Sequence, residues 1–235
     1  SFSDPDFLNG PGHARRILTA MHAEFPELTF DFTARIPHLL RYKHLMSEMK
    51  SIGCAFVISA LETLSDDVLD VLDKGHTRSD IMRALDIMKK AKISWRPSLL
   101  PFTPWSTLDD YLELLDFVRT HELVQNIDPV HLSIRLLIPP GSALLEKHAN
   151  ADWIGDLDSA NFTYRWIHPD WRMEQLWSQI NGVVRKSHNE DIDPSKTFSA
   201  IEELAYTMAG KKPSFTNIVS QKHPLPAGLT ESWFC

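Results

Sequence analysis

The chain has 235 residues, 43% of them hydrophobic and 23% charged, which suits one large globular domain or one with an appendage and excludes a disordered chain, a collagen-like repeat and a coiled coil. Its 24 Lys and Arg against 31 Asp and Glu give a net charge of −7 with no basic run, so no nucleic-acid partner is expected. No stretch nears the roughly 20 apolar residues of a membrane span, so no membrane partner is expected, and two cysteines, Cys54 and Cys235, make neither a disulfide framework nor a metal site alone and suit the reducing cytoplasm.

The sequence opens on Ser1-Phe2-Ser3-Asp4, which reads as the end of a strand, and closes on Trp233-Phe234-Cys235; both ends are expected to be cut. Residues 12–24 carry Ala14, Ile17, Leu18 and Met21 at helical spacing. Residues 28–33, rich in aromatic and β-branched side chains, predict a strand. Residues 36–51 predict a helix. The unbroken apolar run 54–60 predicts a strand buried on both faces of a parallel sheet. Ser65-Asp66-Asp67 starts a short helix through 72, Lys74-Gly75-His76-Thr77 makes a turn, and a helix begins at Ser79 or Asp80 and runs to about 92. A strand over 93–100, a helix over 106–121 and a strand over 129–138 follow, closed by Pro139-Pro140-Gly141. That makes five strand candidates separated by helices, the signature of a parallel sheet, open or curved into a barrel. After residue 142 the strands are expected to stop. Residues 170–187 and 194–210 predict helices, and the tail from 211 is irregular.

In either architecture, functional residues collect beyond the carboxyl ends of the strands. Asp4-Pro5-Asp6 is a rigid acidic turn there, able to hold an ammonium or metal, or to cap the next helix. Asp31, Thr33 and Arg35 alternate on one face; Asp31 and Arg35 could simply pair, as buried charges do. Glu62 ends the apolar run, placed to hold a hydroxyl pair or to favour a helix start. His76 alone reads as a surface residue. Arg96 and Arg135 each sit inside an apolar strand and must pair or bind something, a carboxylate above all. Pro101-Phe102-Thr103-Pro104-Trp105 can wall a flat ring or pack on the following helix. GxGxxG, GxxxxGK[ST], GxSxG and HExxH are all absent.

Several of these segments fall in the order and spacing of a known family. Cys54 to Leu61 followed by Glu62-Thr63, then Asp67-Val68-Leu69, Lys74-Gly75-His76-Thr77, Asp80-Ile81 and Ala84, resembles the middle of radical S-adenosylmethionine (SAM) enzymes, with Thr63 where Ser is usual. The resemblance spans about residues 1–142 and is densest over 53–92. It implies a partial (β/α)6 barrel of TIM type over 1–142 that lacks the first strand and cluster loop, and a helical C-terminal extension over 143–235. It implies SAM as cofactor: Asp4, Pro5 and Asp6 stand at the turn that holds its amino group, Glu62 near its ribose or methionine part, and Arg96 or Arg135 at its carboxylate, with Arg35 on the same strand-end rim. It also implies a [4Fe–4S] cluster, whose CxxxCxxC ligands are missing here and are expected upstream of Ser1. Asp-Pro-Asp-Phe, Asp-Phe-Thr-Ala-Arg, Arg-Leu-Leu-Ile-Pro-Pro-Gly-Ser and the terminal Trp-Phe-Cys are similar to a subgroup ending in Cys-Cys-Ala-Glu-Pro or a selenocysteine tail.

The implied activity is reductive cleavage of SAM to a 5′-deoxyadenosyl radical that takes hydrogen from a small-molecule or peptide substrate, with an electron donor as partner. The fragment alone, without three cluster thiolates, is expected to be inactive. Two other readings stand beside it: a barrel enzyme running acid–base chemistry on Asp4, Asp6, Asp31 and Glu62, and a non-catalytic scaffold that binds SAM or a partner. Trp153, Trp166, Trp171 and Trp177 are expected to pack the extension.

Overall fold

The computed structural model describes residues 1–148 and 150–212. The expected tail, with Cys235, falls almost wholly outside them. Three strands, β1 (Phe30–Thr33), β2 (Cys54–Glu62) and β3 (Ser94–Leu99), form a parallel sheet in that order. α1 (Pro11–Glu24) precedes β1; α2 (Ile36–Arg41) and α3 (Met46–Ser51) join β1 to β2; α4 (Asp66–Val71) and α5 (Arg78–Ala91) join β2 to β3; α6 (Leu108–Thr120) follows. The alternation expected from hydrophobic periodicity is therefore present, and the mixed α/β class with it.

Local chemistry sets the helix starts. Thr77 and Thr107 each close a capping box: the hydroxyl accepts from the N–H of Asp80 or Asp110, and that aspartate accepts from the threonine N–H. The helix expected at Ser79 or Asp80 thus begins after Thr77. Thr77→Ala is expected to cost about 1 kcal/mol, read as a lowered midpoint in urea unfolding.

The sheet has fewer regular strands than expected. Phe2 donates its N–H to the Asp31 carbonyl at 3.2 Å, so the N-terminal segment lies beside β1 without forming a strand. The first four residues of the fifth predicted strand form a 3-10 turn instead, Pro129–Leu132. Its cause is local: Asp128 accepts from the Val130 N–H at 3.1 Å and the Ser133 hydroxyl donates to the Val130 carbonyl at 2.9 Å. These side-chain bonds and Pro129 at the first position override the apolar run. Among the described residues, a single parallel bridge, Phe102 with Arg135, continues the sheet past β3.

A hairpin also stands where strands were expected to stop. After α7 (Ala143–His148), β4 (Ile154–Asp158) pairs antiparallel with β5 (Thr163–Trp166). Asp158 closes the turn by accepting from the N–H groups of Ala160 and Asn161 at 3.1 and 3.3 Å and from the Asn161 side chain at 3.0 Å. Bonds from Asn161 and then Arg165 hold the Asp158 pKa at about 2. The hairpin is attached to the segment after α6 by Tyr164 N–H to the Ile138 carbonyl, 2.8 Å.

α8 (Trp171–Asn189) and α9 (Pro194–Met208) match the two helices expected in the C-terminal part, and they pack on each other. Asp170 and Asp193 cap them. Arg119 of α6 pairs with Glu202 of α9, and the Tyr206 hydroxyl donates to Asp116 at 2.6 Å. The main core runs from Leu8 and Leu18 through Phe32, Val57, Leu61, Ile81 and Trp95 to Leu115, Leu176, Ile180 and Ile201.

Candidate functional site

The two faces of the sheet differ. Val57, Ser59, Leu61, Trp95 and Leu99 are buried on the face that α3 and α5 pack against. On the other face, Ile58, Ala60, Arg96 and Ser98 are only half-buried. The run 54–60, expected to be buried on both sides, is thus fully covered on one side only among the described residues.

Parallel partners point to the same side. Thr33 pairs with Ile58 and Ile58 with Arg96; Asp31 pairs with Phe56 and Phe56 with Ser94; Ala60 pairs with Ser98. The half-open face therefore carries Asp31, Thr33 and Arg96, with Ala60 and Ser98 leaving room above them. The Arg96 guanidinium lies over the Phe56 ring, 5.7 Å from its centroid. Burial pulls the Arg96 pKa down and Asp128 pulls it back up.

Glu62 ends β2 at this face. The register shifts between Ala60 and Glu62, and Glu62 takes φ +66°. A non-glycine residue in the left-handed region is a strained position of the kind that collects at functional sites. Its carboxylate is only 13% exposed and sits 2.5 Å from Lys74 Nζ. Lys74 belongs to the Lys74-Gly75-His76-Thr77 turn, which Arg35 ties down by donating from Nη2 to the Lys74 carbonyl at 3.4 Å. His76, expected at the surface, is buried, with Nδ1 3.3 Å from the Lys74 carbonyl. Burial lowers its pKa against the raising pull of the Leu61 and Lys74 backbone. The packing of the turn onto the end of β2 is what a local reading of a polar tetrapeptide misses.

The acidic turn does two jobs. Asp4 Oδ1 accepts from the Asp6 N–H at 2.8 Å. Asp6 accepts from the Arg35 N–H at 3.2 Å and lies 2.7 Å from His38 Nδ1. Asp6 therefore ties down the residue that precedes α2, a helix further along than the one it precedes. Asp4 and Pro5 stay exposed. Asp31 does not pair with Arg35: its carboxylate accepts from the Ser1 hydroxyl at 2.7 Å.

Arg135 is committed elsewhere in the structure. It donates to both Glu174 oxygens at 2.8 and 2.7 Å and to the Trp166 carbonyl at 2.6 Å. Its guanidinium lies between Trp166 and Trp177, 3.6 and 4.8 Å from their centroids. Burial works against the Glu174 charge, yet Arg135 and the His168 N–H outweigh it and hold the pKa below the usual value. The proline-rich loop packs: Trp105 meets Trp153 edge-on at 5.4 Å and His148 at 5.1 Å.

One residue on the turn packed against β3 carries no sequence signal. His131 there has its pKa lowered, foremost by burial, with Asp128 and Glu62 opposing. A lone histidine in an apolar run has no pattern to mark it.

A metal centre is not formed by these residues. No group of three or more His, Cys, Asp or Glu able to hold a metal occurs among the described residues. Cys54 is buried, and desolvation, foremost, lifts its thiol pKa to about 12, so it offers no thiolate. No described helix is long and apolar enough to cross a membrane.

No protein-family model matches the sequence, and no curated protein matches it. Solved structures do. The cobalamin-dependent SAM radical enzyme OxsB, in its apo form, superposes with a TM-score of 0.64 at 15% identity, over 88% of this chain and 38% of that one. OxsB with aqua-cobalamin gives a TM-score of 0.62 at 16% identity over the same shares. With aqua-cobalamin and SAM bound it gives 0.59 at 18% identity. The chain thus spans under two fifths of the length of the enzyme it matches. At this identity the likeness speaks for architecture, and the chain has the radical SAM fold, a parallel α/β sheet followed by a helical C-terminal part.

Proposed function

We propose that this chain is the SAM-binding part of a radical SAM enzyme, its sheet an arc of a (β/α) barrel. The half-open sheet face carries the reading: Arg96 lies on it and Glu62 closes it at the carboxyl end of β2. In this reading Arg96, which lies on the half-open face over the Phe56 ring, meets the SAM carboxylate. Glu62 accepts from the ribose hydroxyls, and Lys74 fixes its carboxylate. Asp4 stands nearest the amino group, since Asp6 is tied to Arg35 and His38. Pro5 stiffens that turn. Arg35 holds the Lys74 turn in place.

The described residues fit SAM and do not fit a [4Fe–4S] cluster, since their one cysteine is Cys54. The reading places the cluster ligands in sequence before Ser1. Bound SAM supplies, on one-electron reduction, a 5′-deoxyadenosyl radical for hydrogen abstraction. This chain's own residues bind and orient it. The substrate and electron donor follow as partners of the full-length enzyme.

The test is SAM binding by equilibrium dialysis to the wild type, Glu62→Ala and Arg96→Ala, with circular dichroism as the folding check. Losing a charged hydrogen bond of about 1.5–3 kcal/mol weakens binding by roughly 10- to 150-fold for either variant. Unchanged affinity in a folded variant removes that residue from the site. No binding by the wild-type full-length protein overturns the reading.

A further inference from the structure

The helix layer behind the sheet holds a second recess, on the side away from the half-open face. α2 packs against α5, and between them and the 3-10 turn Lys43–Leu45 runs an open groove of about 470 Å³. Leu40 of α2 and Ile87 of α5 give it an apolar floor, and both stay half-buried. Lys43 and His44 line it from the turn, Arg83 and Lys90 from α5.

Charge sets the groove apart from the rest of the molecule. The chain carries 31 acids against 24 Lys and Arg. The groove reverses that balance, with Lys43, Arg83 and Lys90 in its lining against the single acid Asp86. Arg83 pairs with Asp80. The side chains of Lys43, His44 and Lys90 make no ion pair or hydrogen bond with the described residues, so both lysine charges face solvent without a counter-charge among them.

Spacing narrows the occupant. Arg83, Ile87 and Lys90 fall at i, i+4 and i+7 of α5, one stripe of its surface. At 1.5 Å per residue the two cations stand roughly 10 Å apart along the axis, with the apolar side chain between them. The complement is another helix: an apolar side chain flanked by carboxylates a turn away on either side, laid along the groove. A flat lipid surface would meet the rims and miss the floor. A small free anion would take the lysines and leave the floor unused.

We propose that this groove docks an acidic amphipathic helix of a partner protein, with the apolar face of that helix on Leu40 and Ile87 and its carboxylates on Lys43 and Lys90. The surface lies behind the sheet, so docking leaves the half-open face free, and the inference does not rest on the SAM reading. The recess is small, and the contact belongs with transient associations that charge steers and salt weakens.

The experiment titrates the isotope-labelled chain with a synthetic helical peptide of Leu, Ala and Glu, about four turns long with its leucines on one face. Amide shifts report the place of binding and fluorescence anisotropy of a dye-labelled copy its strength. Two control peptides replace every Glu by Gln or every Leu by Ala. The expected result is shifts confined to residues 40–47 and 83–91 and an affinity that falls as salt rises. Lys43→Glu with Lys90→Glu, or either control peptide, weakens binding roughly tenfold or more. Arg83 is left in place because it holds Asp80. Both lysines are exposed, and Lys43→Gln with Lys90→Gln gives a smaller loss in the same direction if the reversed pair fails a circular dichroism check of folding. No binding by the wild-type chain, shifts centred elsewhere, or a folded lysine variant that binds as tightly as the wild type overturns the proposal. Equal binding of the Glu and Gln peptides overturns the acidic partner. Tighter binding to phosphatidylserine vesicles than to the peptide makes the face a membrane contact and overturns it as well.

Discussion

Alanine at Gly53 is expected to destabilise the protein by about 3 kcal/mol or more, a large part of the 5–15 kcal/mol that holds a domain together. Two costs coincide there. Gly53 takes φ +105°, which L side chains rarely adopt, and a Cβ would stand 2.5 Å from the Leu28 carbonyl oxygen. That oxygen is backbone, so no side-chain movement relieves the clash. The Gly53 carbonyl accepts from the Phe30 N–H at 3.1 Å, so a shift is passed to the start of β1 and to the register that sets Asp31 and Thr33 on the open face. Gly182 is the control. Its added Cβ would meet nothing within 4 Å, and it lies inside α8. Gly182→Ala is expected to stabilise by about 0.5–1 kcal/mol. Urea unfolding of the two variants decides it, and equal midpoints would contradict the strain argument.

Arg135→Ala is the second large effect, about 3–5 kcal/mol. The pair it breaks is mostly out of water, with Arg135 17% and Glu174 27% exposed. Removal leaves the Glu174 carboxylate facing only the His168 N–H, and it leaves a gap between Trp166 and Trp177. Glu174→Ala strands the guanidinium and is expected to cost a similar amount. The double variant costs less than the sum of the two, because neither charge is then left alone. Thermal unfolding of the three variants measures this, and strict additivity would show that the pair makes no coupled contribution. Reduced SAM binding is not expected from Arg135→Ala wherever the protein remains folded.

Much of this architecture was legible in the sequence. β2 stood out as an apolar run and α6 because Ser106-Thr107-Leu108-Asp109-Asp110 marks its start, whereas α5 was expected to begin at Ser79 or Asp80 and is capped by Thr77. The hairpin β4–β5 was not legible, since its turn is built from the side chains of Asp158 and Asn161 rather than from glycine. The strand expected at 129–138 lost its first residues because Asp128, Pro129 and Ser133 fold their own backbone locally. At the candidate site, Glu62 and Arg96 are marked in the sequence by their places in strands. What held Arg135 could not, because Glu174 lies 39 residues away on a helix. Nor could His131, whose neighbours come together only when β2, β3 and the turn pack.

β2 is hydrogen-bonded to a strand on each side, whereas the segment around Arg135 joins the sheet through one bridge. The sheet therefore has a gradient of cooperativity. Its centre opens only with the whole fold, while its far margin can open alone at much lower free energy. Glu62 is carried by the centre, and the hairpin with Tyr164 bonded to Ile138 is carried by the margin. Slow amide exchange on β2 beside faster exchange over 134–138 would be the signature of a sheet whose centre stays fixed while one margin breathes.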